Sequence, residues 1–207
     1  MNAKRDPLAT RNNILDAAEP LFLATGYADV SLSQIAKAAN VTKSLIHHHF
    51  GSKDQLWIEV KKRFFGDYLE GQAIQLKDTP ASAELLKQSM IAYFHYIRQK
   101  PGFVRMNCWM RLEDDTSCAD MDRAVVKLGV ERIREAQEMG LLRDDISADN
   151  ILIAFLSAIE SWFLNRTRFV SVHFDNLSLE ECTSSNLDNA YLNDLISIFF
   201  EGLAPKT

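Results

Sequence analysis

The segment SLSQIAKAANVTKSLIHHHFGSK, residues 31–53, decides the fold because it contains two short helical patterns joined by a tight turn. Ser31 is followed three residues later by Gln34, the spacing at which an N-cap hydroxyl and a reciprocal side chain satisfy two backbone amide donors. Asn40 tolerates a left-handed backbone and is suited to ending the first helix. Thr42 can cap a second helix through its hydroxyl group. The pattern predicts a helix-turn-helix.

The second of these helices has an apolar face and a polar face. Ile46 and Phe50 lie four residues apart and are predicted to face the first helix. The polar face carries donors, a cation and imidazole rings, which suit base edges, and Lys53 begins the next helix, whose first-turn amides attract a phosphate. An ordinary helical hairpin with a polar outer face is the alternative. The residues predicted to contact DNA are Ser31, Thr42, Lys43, Ser44, Leu45, His47, His48 and Lys53.

A longer segment, ILDAAEPLFLATGYADVSLSQIAKAANVTKSLIHHHFGSKDQLW at residues 14–57, resembles the tetracycline-repressor family of bacterial regulators. Its helices occur in the family's order and spacing. This chain has His47 where the family usually has Tyr, and Ser44 and Leu45 where Gly or Thr is frequent, so no base preference can be carried over. The resemblance implies a repressor that a small-molecule inducer releases from its operator.

Composition favours an all-α protein. The chain has 207 residues, of which 47% are hydrophobic, with five prolines, eight glycines and no long alternating apolar and polar run. We predict about nine helices, divided into a three-helix DNA-binding domain at residues 1–53 and a ligand-binding and dimerisation domain at residues 54–207. The helices after the recognition helix are expected at about 53–76, 81–99, 103–113, 120–139, 148–168 and 187–203.

The net charge of −5 is unevenly distributed. Residues 1–53 carry six Lys or Arg and four acidic residues, a balance of +2, so the remainder carries −7. This asymmetry directs the N-terminal end toward phosphate. The N-terminus lacks an apolar signal segment, and the longest apolar stretch, at 151–164, contains Glu160 and is too short for a bilayer. Together with three cysteines that lack disulfide or metal spacing, these features predict a cytoplasmic protein that does not enter a membrane.

The last two predicted helices are apolar around much of their circumference, and a surface helix normally has a single apolar stripe. Two explanations are open: both helices are central core helices, or a second subunit covers one side of each in a four-helix bundle. The family resemblance favours a homodimer, whose two-fold symmetry predicts a palindromic operator. The predicted interface residues are Phe155, Ile159, Leu192, Leu195, Ile196 and Phe199.

Large, adaptable side chains occur in the middle helices, where each alone is equally consistent with a core position. As a group they fit an apolar cavity with a few polar contacts, and the family resemblance implies an inducer pocket there. Glu160 could neutralise a cationic ligand or lie at the dimer seam, and the sequence does not decide between them. The predicted ligand-binding residues are Phe94, Phe103, Met106, Trp109, Met110, Glu160, Trp162 and Phe163.

Catalysis is not expected, since the chain has no glycine-rich phosphate loop, nucleophile elbow or HExxH motif. Consecutive helical residues point about 100° apart, so His47, His48 and His49 cannot converge on one metal ion. No cofactor is predicted. The expected function is a ligand-responsive, sequence-specific transcriptional regulator, in which an unidentified effector shifts the helix after residue 53 and changes the spacing of the two recognition helices. The alternative is a dimeric ligand-binding or interaction module that no longer binds DNA.

Overall fold

The computed structural model describes residues 6–117, 119–173 and 185–202. Within these ranges all regular secondary structure is helical, which confirms the all-α prediction. The helices are α1 (Pro7–Asp29), α2 (Leu32–Ala38), α3 (Lys43–Phe50), α4 (Lys53–Asp78), α5 (Ala83–Gln99), α6 (Gly102–Leu112), α7 (Ala119–Glu138), α8 (Ala148–His173) and α9 (Ser185–Gly202). None of these described helices combines the length and apolarity needed to cross a membrane.

Local capping chemistry accounts for several helix ends. The Asp6 carboxylate accepts a hydrogen bond from the Leu8 amide at 2.9 Å, and Pro7 occupies the first position of α1. The helical backbone of α1 is broken at Gly26, which has φ +81° and ψ 178°. Gly140 has φ +70° just after α7. Side-chain capping and glycine conformation therefore account for these ends.

Two predicted boundaries differ from the structure. The amide of Thr79 bonds to the Gln75 carbonyl and so completes α4, whereas Ser82 caps α5 by accepting from the Leu85 amide at 3.0 Å. Helix α5 therefore begins at Ala83, two residues after its predicted start at about residue 81. In the other case, α8 continues to His173, five residues beyond its predicted end. Most of the polar loop expected at about 171–186 lies outside the described residues.

The chain forms two compact units. The first takes in the chain up to Asp67 together with Arg105–Met121, and the second takes in Tyr68–Val104 and the chain from Asp122. Both α4 and α6 therefore contribute residues to both units. Leu56, Trp57 and Val60 of α4 are buried, and the Trp57 ring lies 4.8 Å from the Phe22 ring of α1. The assignment of DNA binding to residues 1–53 and of ligand binding and dimerisation to 54–207 stays a prediction.

The second unit has its own core. In it, α5 packs against α8 and α9. A cluster of buried apolar residues joins α7 to the start of α8 through the intervening loop, with Ile133, Ala136 and Leu142 among its most buried members.

Candidate functional site

The corner between α2 and α3 is held by backbone and hydroxyl hydrogen bonds. The Ser31 hydroxyl accepts from the Gln34 amide at 3.3 Å, and the Ser31 amide donates to the Gln34 side chain at 2.7 Å, which completes the predicted capping box. Asn40 has φ +52°, the left-handed conformation expected at the turn. Thr42 caps α3 by accepting from the Leu45 amide at 3.3 Å. Ser31 and Thr42 thus act as helix caps, and their contact with DNA stays a prediction.

The two faces of α3 differ as the residue pattern predicted. Ile46 is fully buried and Phe50 is 5% exposed. On the opposite side, four polar residues predicted to contact DNA are exposed and Leu45 is half-buried. These four residues are Lys43, Ser44, His47 and His48. The structure therefore brings these four of the eight predicted DNA-binding residues onto one accessible surface, which we call the recognition face.

His47 makes a local hydrogen bond on this face. Its Nδ1 atom lies 2.8 Å from the carbonyl oxygen of Gly51. Gly51 has φ +76° and ends α3. The next histidine, His48, packs its ring edge-on against His49 with the ring centroids 5.4 Å apart. The imidazole of His47 is thus anchored by the end of its own helix.

Lys53 lies at the start of α4 beside a tyrosine. Its Nζ atom donates to the Ala28 carbonyl at 3.3 Å and lies 4.2 Å from the centroid of the Tyr27 ring. The Tyr27 hydroxyl donates to Asp54, and burial together with this carboxylate raises the pKa of Tyr27 to about 12. An ammonium has three N–H donors, so the bond to Ala28 leaves donors for a phosphate. The sequence did not indicate that Tyr27 would position the Lys53 ammonium.

Side chains of α1 hold the helix-turn-helix in place. The side-chain amide of Asn13 donates a hydrogen bond to the backbone carbonyl of Ala39, at the end of α2, over 2.7 Å. Arg11 forms an ion pair with Glu59, and its guanidinium lies 5.1 Å from the centroid of the Phe50 ring. Arg11 thus has structural partners from α3 and α4.

A depression of about 380 Å³ lies between the start of α1 and the turn after α2, lined by Asp6, Ala9, Thr10, Asn13, Ala39, Asn40 and Val41.

The part of α6 that belongs to the first unit is bonded to the end of α1. Arg105 donates to the Ala24 carbonyl at 3.1 Å, and the Trp109 indole donates to the Leu23 carbonyl at 3.2 Å. Glu113, four residues further on, accepts from the Ala28 amide at 3.0 Å. The spacing of four places all three side chains on one side of the helix, but their partners are backbone groups that no side-chain pattern marks. Sequence reasoning therefore missed this contact.

A buried lysine ties α4 to the loop after α6. Lys61 is fully buried, and its ammonium lies 2.5 Å from a carboxylate oxygen of Asp115 and 2.6 Å from the Ser117 hydroxyl. The Trp57 indole donates to the same carboxylate. Burial by itself would raise the pKa of Asp115, but the bonds from Lys61, Ser117 and Trp57 outweigh it and hold the pKa at about 2. This cluster is a satisfied ion pair whose ammonium is fully buried and whose carboxylate is half-buried.

In the second unit, Glu160 is bonded to a residue of its own chain. The Tyr93 hydroxyl donates to Glu160 at 2.7 Å. Tyr93 lies in a group of aromatic rings with centroids 4.4 to 6.1 Å apart, which also contains Tyr68, Tyr96, Phe103 and Phe155. The roles expected for Glu160, ligand contact or dimer seam, both stay predictions.

A second aromatic and ionic cluster joins α8 to α9. The Trp162 ring stacks on Tyr191, with centroids 4.2 Å apart, and its indole donates to Asp188 at 2.9 Å. Arg166 donates to both oxygens of Asp188, which is 1% exposed.

Of the predicted ligand-binding residues, Met106, Trp109 and Met110 fall in the first unit. The other five, Phe94, Phe103, Glu160, Trp162 and Phe163, fall in the second.

Three residues predicted at the dimer interface are already covered within one chain. Ile159 is 0% exposed, Leu192 is 5% exposed and Leu195 is 6% exposed. A second subunit cannot reach side chains that their own protomer covers, so we correct these three to core positions. Phe155, Ile196 and Phe199 are half-buried. Apolar side chains on the same two helices that are more than half exposed include Ile153, Leu164 and Ile198, and sequence periodicity did not single these out.

Two family models match the chain. The model described as bacterial regulatory proteins of the tetR family matches residues 14–60, which include α2 and α3. A model described as a tetracyclin repressor-like C-terminal domain matches residues 87–184. The matched residues thus include both the recognition face and much of the second unit.

Two proteins with similar sequences are transcriptional repressors. The repressor NicS of Pseudomonas putida is 27% identical over 165 residues, which cover 77% of each chain. The repressor SCO4008 of Streptomyces coelicolor is 27% identical over 166 residues, covering 77% of this chain and 81% of that protein. Both alignments extend well beyond the length of the helix-turn-helix.

Solved structures show the same fold. The transcriptional regulator SCO4942 from Streptomyces coelicolor has a TM-score of 0.71 at 22% identity, covering 94% of this chain and 98% of that one. AibR, solved in complex with isovaleryl coenzyme A and operator DNA, has a TM-score of 0.68 at 19% identity, covering 92% and 98% of the two chains. At these identities the likeness concerns the fold.

Proposed function

This chain belongs to the tetracycline-repressor family of bacterial regulators, and we propose that it is a ligand-responsive, sequence-specific transcriptional repressor. This proposal is supported by the recognition face of α3. The apolar residues Ile46 and Phe50 of this helix are buried, whereas its four polar residues on that face are exposed. A helix with this division of faces can enter the major groove while its buried side fixes its orientation. We place the protein in the cytoplasm, where it would meet operator DNA.

The residues of the helix-turn-helix divide into base contacts and phosphate contacts. Lys43 and Ser44 occupy the first turn of α3, whose residues contact base edges in helix-turn-helix proteins. Leu45 offers an apolar contact to a thymine methyl group. Lys53 is held by Tyr27 at the N-terminus of α4, where the helix dipole also favours a phosphate. The phosphate contacts would set the register of α3, and the base contacts would select the sequence.

The protein acts as a homodimer, and we assign its interface to the exposed apolar side chains of α8 and α9. Ile153 and Ile198 are 61% and 67% exposed in a single chain, and Leu164, which also lies in α8, is 56% exposed. A four-helix bundle made from two copies would remove these side chains from water. Two-fold symmetry would then place two recognition faces on a palindromic operator.

The effector is a small molecule, and we assign its binding to the aromatic side chains of the middle helices. AibR, which shares this fold, was solved with isovaleryl coenzyme A and operator DNA, and we infer a comparable pairing of effector and operator here. Both α4 and α6 contribute residues to the two units, so we infer that a ligand acts through these helices on the spacing of the recognition faces. An unchanged half-site spacing in the presence of a bound inducer would remove this mechanism.

Footprinting on DNA that flanks the protein's own gene, at two salt concentrations, tests the proposed function. A protected palindrome whose affinity falls steeply with salt is the expected result, because phosphate contacts release counterions. The absence of protection at low salt, with protein freed of any co-purified ligand, would instead favour a dimeric interaction module that does not bind DNA. Mass spectrometry of the protein before that treatment would identify a bound effector.

A further inference from the structure

We propose that His47 recognises the exocyclic amino group of a base, adenine N6 or cytosine N4, through the lone pair of its Nε2 atom. The proposal rests on the proposed DNA-binding function. It goes beyond that function because it assigns one residue of the recognition face a defined hydrogen-bonding preference.

The hydrogen-bond geometry of His47 assigns the proton of its neutral imidazole to one of the two nitrogens. Nδ1 lies 2.8 Å from the carbonyl oxygen of Gly51, and a carbonyl oxygen can only accept a hydrogen bond. The Nδ1 atom must therefore be the donor. A neutral imidazole has one N–H group, so Nε2 is then unprotonated and can only accept.

This tautomer is set within α3 itself. Gly51 follows His47 by four residues, and its backbone, with φ +76°, ends the helix. A side chain at the fourth-last position can reach a terminal carbonyl that has no partner within the helix. The preference is therefore present before DNA binds, and it does not depend on a distant residue.

The accepting nitrogen is available on the recognition face. His47 is exposed, and in the described part of the chain its only hydrogen bond is the one from Nδ1. It lies one helical turn after Lys43, on the same side of α3. An acceptor at this position would point toward whatever the recognition face binds.

Only some groups in DNA complement such an acceptor. In the major groove the donors are the amino groups of adenine and cytosine, whereas guanine O6 and N7, thymine O4 and the phosphate oxygens are all acceptors. A lone pair directed at any of these acceptors would be repelled. A tyrosine hydroxyl, by comparison, can donate as well as accept, so a histidine with this tautomer is the more selective residue.

The tautomer can be measured in the free protein, independently of any operator. Long-range proton–nitrogen NMR correlations at pH 8 should show His47 as the Nδ1–H tautomer. In Gly51→Pro, which disrupts the helix end, the ring should lose this preference. Finding Nε2 protonated in the wild-type protein would overturn the proposal even if the protein binds DNA.

The recognition step is tested by removing single amino groups from the footprinted operator at pH 8. Each adenine in a half-site is replaced by purine, and each cytosine by 2-pyrimidinone, and binding is compared between wild type and His47→Leu. At one position in each half-site we expect wild type to lose about 2- to 10-fold in affinity, the range of one hydrogen bond. His47→Leu should change less than about 2-fold at that position.

A matched variant separates hydrogen bonding from shape. His47→Gln retains an acceptor and should keep part of the preference for the amino group. If wild type binds the operator but no amino group is coupled to His47, the proposal is wrong. The same conclusion follows if His47 is coupled only to a phosphate replaced by methylphosphonate. If wild type protects no operator, the proposed function fails, and base recognition by His47 fails with it.

Discussion

The ammonium of Lys61, which is fully buried in α4, lies 2.5 Å from the carboxylate of Asp115 in the loop after α6. The two residues are 54 positions apart in the chain. Their ion pair fastens the middle of α4 to α6, which is itself bonded to the end of α1 through Arg105 and Trp109. The orientation of the helix-turn-helix thus depends on a segment far along the sequence.

Breaking this ion pair should strongly destabilise the protein. Asp115→Asn leaves a buried ammonium without its counter-charge, and we expect a loss of about 3–5 kcal/mol in the free energy of unfolding measured with urea. The double variant Lys61→Met with Asp115→Asn should recover much of that loss, since no charge is then left buried. Lys127 and Glu131, an exposed pair 3.8 Å apart, supply the control, where Lys127→Met should cost less than about 0.5 kcal/mol. A loss of under about 1 kcal/mol for Asp115→Asn would contradict this account.

The same carboxylate predicts a pH dependence of stability. The pKa of Asp115 is about 2 in the folded protein, compared with an ordinary value of 3.8. The ionised group therefore contributes stability above about pH 4, and this contribution is lost as the pH falls through the folded-state value. We expect the difference in unfolding free energy between wild type and Asp115→Asn to shrink between about pH 4 and pH 2. A difference that stays constant across this range would show that the charge of Asp115 is not responsible.

Lys53 should contribute to the salt dependence of DNA binding. Replacing Lys43 or Lys53 by Ala removes a proposed contact and should weaken operator binding, and loss of the Lys53 phosphate contact should also lower the slope of log affinity against log salt by about one. Tyr27→Phe keeps the ring beneath the Lys53 ammonium and should leave the slope unchanged. Lys127→Ala, on the exposed surface of α7, is the control for charge alone. Equal slopes for Lys53→Ala and Lys127→Ala would remove Lys53 from the interface.

Two substitutions in α9 distinguish the dimer surface from the protomer core. Ile198 is 67% exposed in one chain, so Ile198→Glu should dissociate the dimer in sedimentation without unfolding the protomer. Leu195 is 6% exposed, and Leu195→Glu should unfold the protomer because a charge would be buried without a partner. A fully dimeric Ile198→Glu variant would place the interface elsewhere.

Gly26 is required for the packing of α6 against α1. Its φ of +81° with ψ of 178° lies in a region that only glycine adopts readily, and an added Cβ would approach the Trp109 ring to 2.7 Å. We expect Gly26→Ala to lower the free energy of unfolding by about 2–4 kcal/mol. Gly66→Ala is the matched control, because this glycine lies within α4 with nothing within 4 Å of its Cβ position. That variant should be stabilised by about 0.5–1 kcal/mol, and equal effects at both sites would refute the argument for Gly26.

The sequence alone determined the helix-turn-helix. Its signals are local: Ser31 and Thr42 cap helices through amides three residues away, and Asn40 adopts the turn conformation that its side chain tolerates. Such interactions are completed within one or two turns of chain, so the residue order contains both partners. The inward positions of Ile46 and Phe50 follow from helical periodicity in the same way.

The tertiary structure decided what depends on residues distant in sequence. Periodicity showed that α8 and α9 are apolar on several sides, but only the packed chain showed that Ile159, Leu192 and Leu195 face its own core. Asp115, which pairs with Lys61, and Tyr93, which bonds to Glu160, likewise lie more than fifty positions away from these residues along the chain. Burial and charge pairing depend on which surfaces meet in space, and residue spacing along a helix gives no distance to another helix.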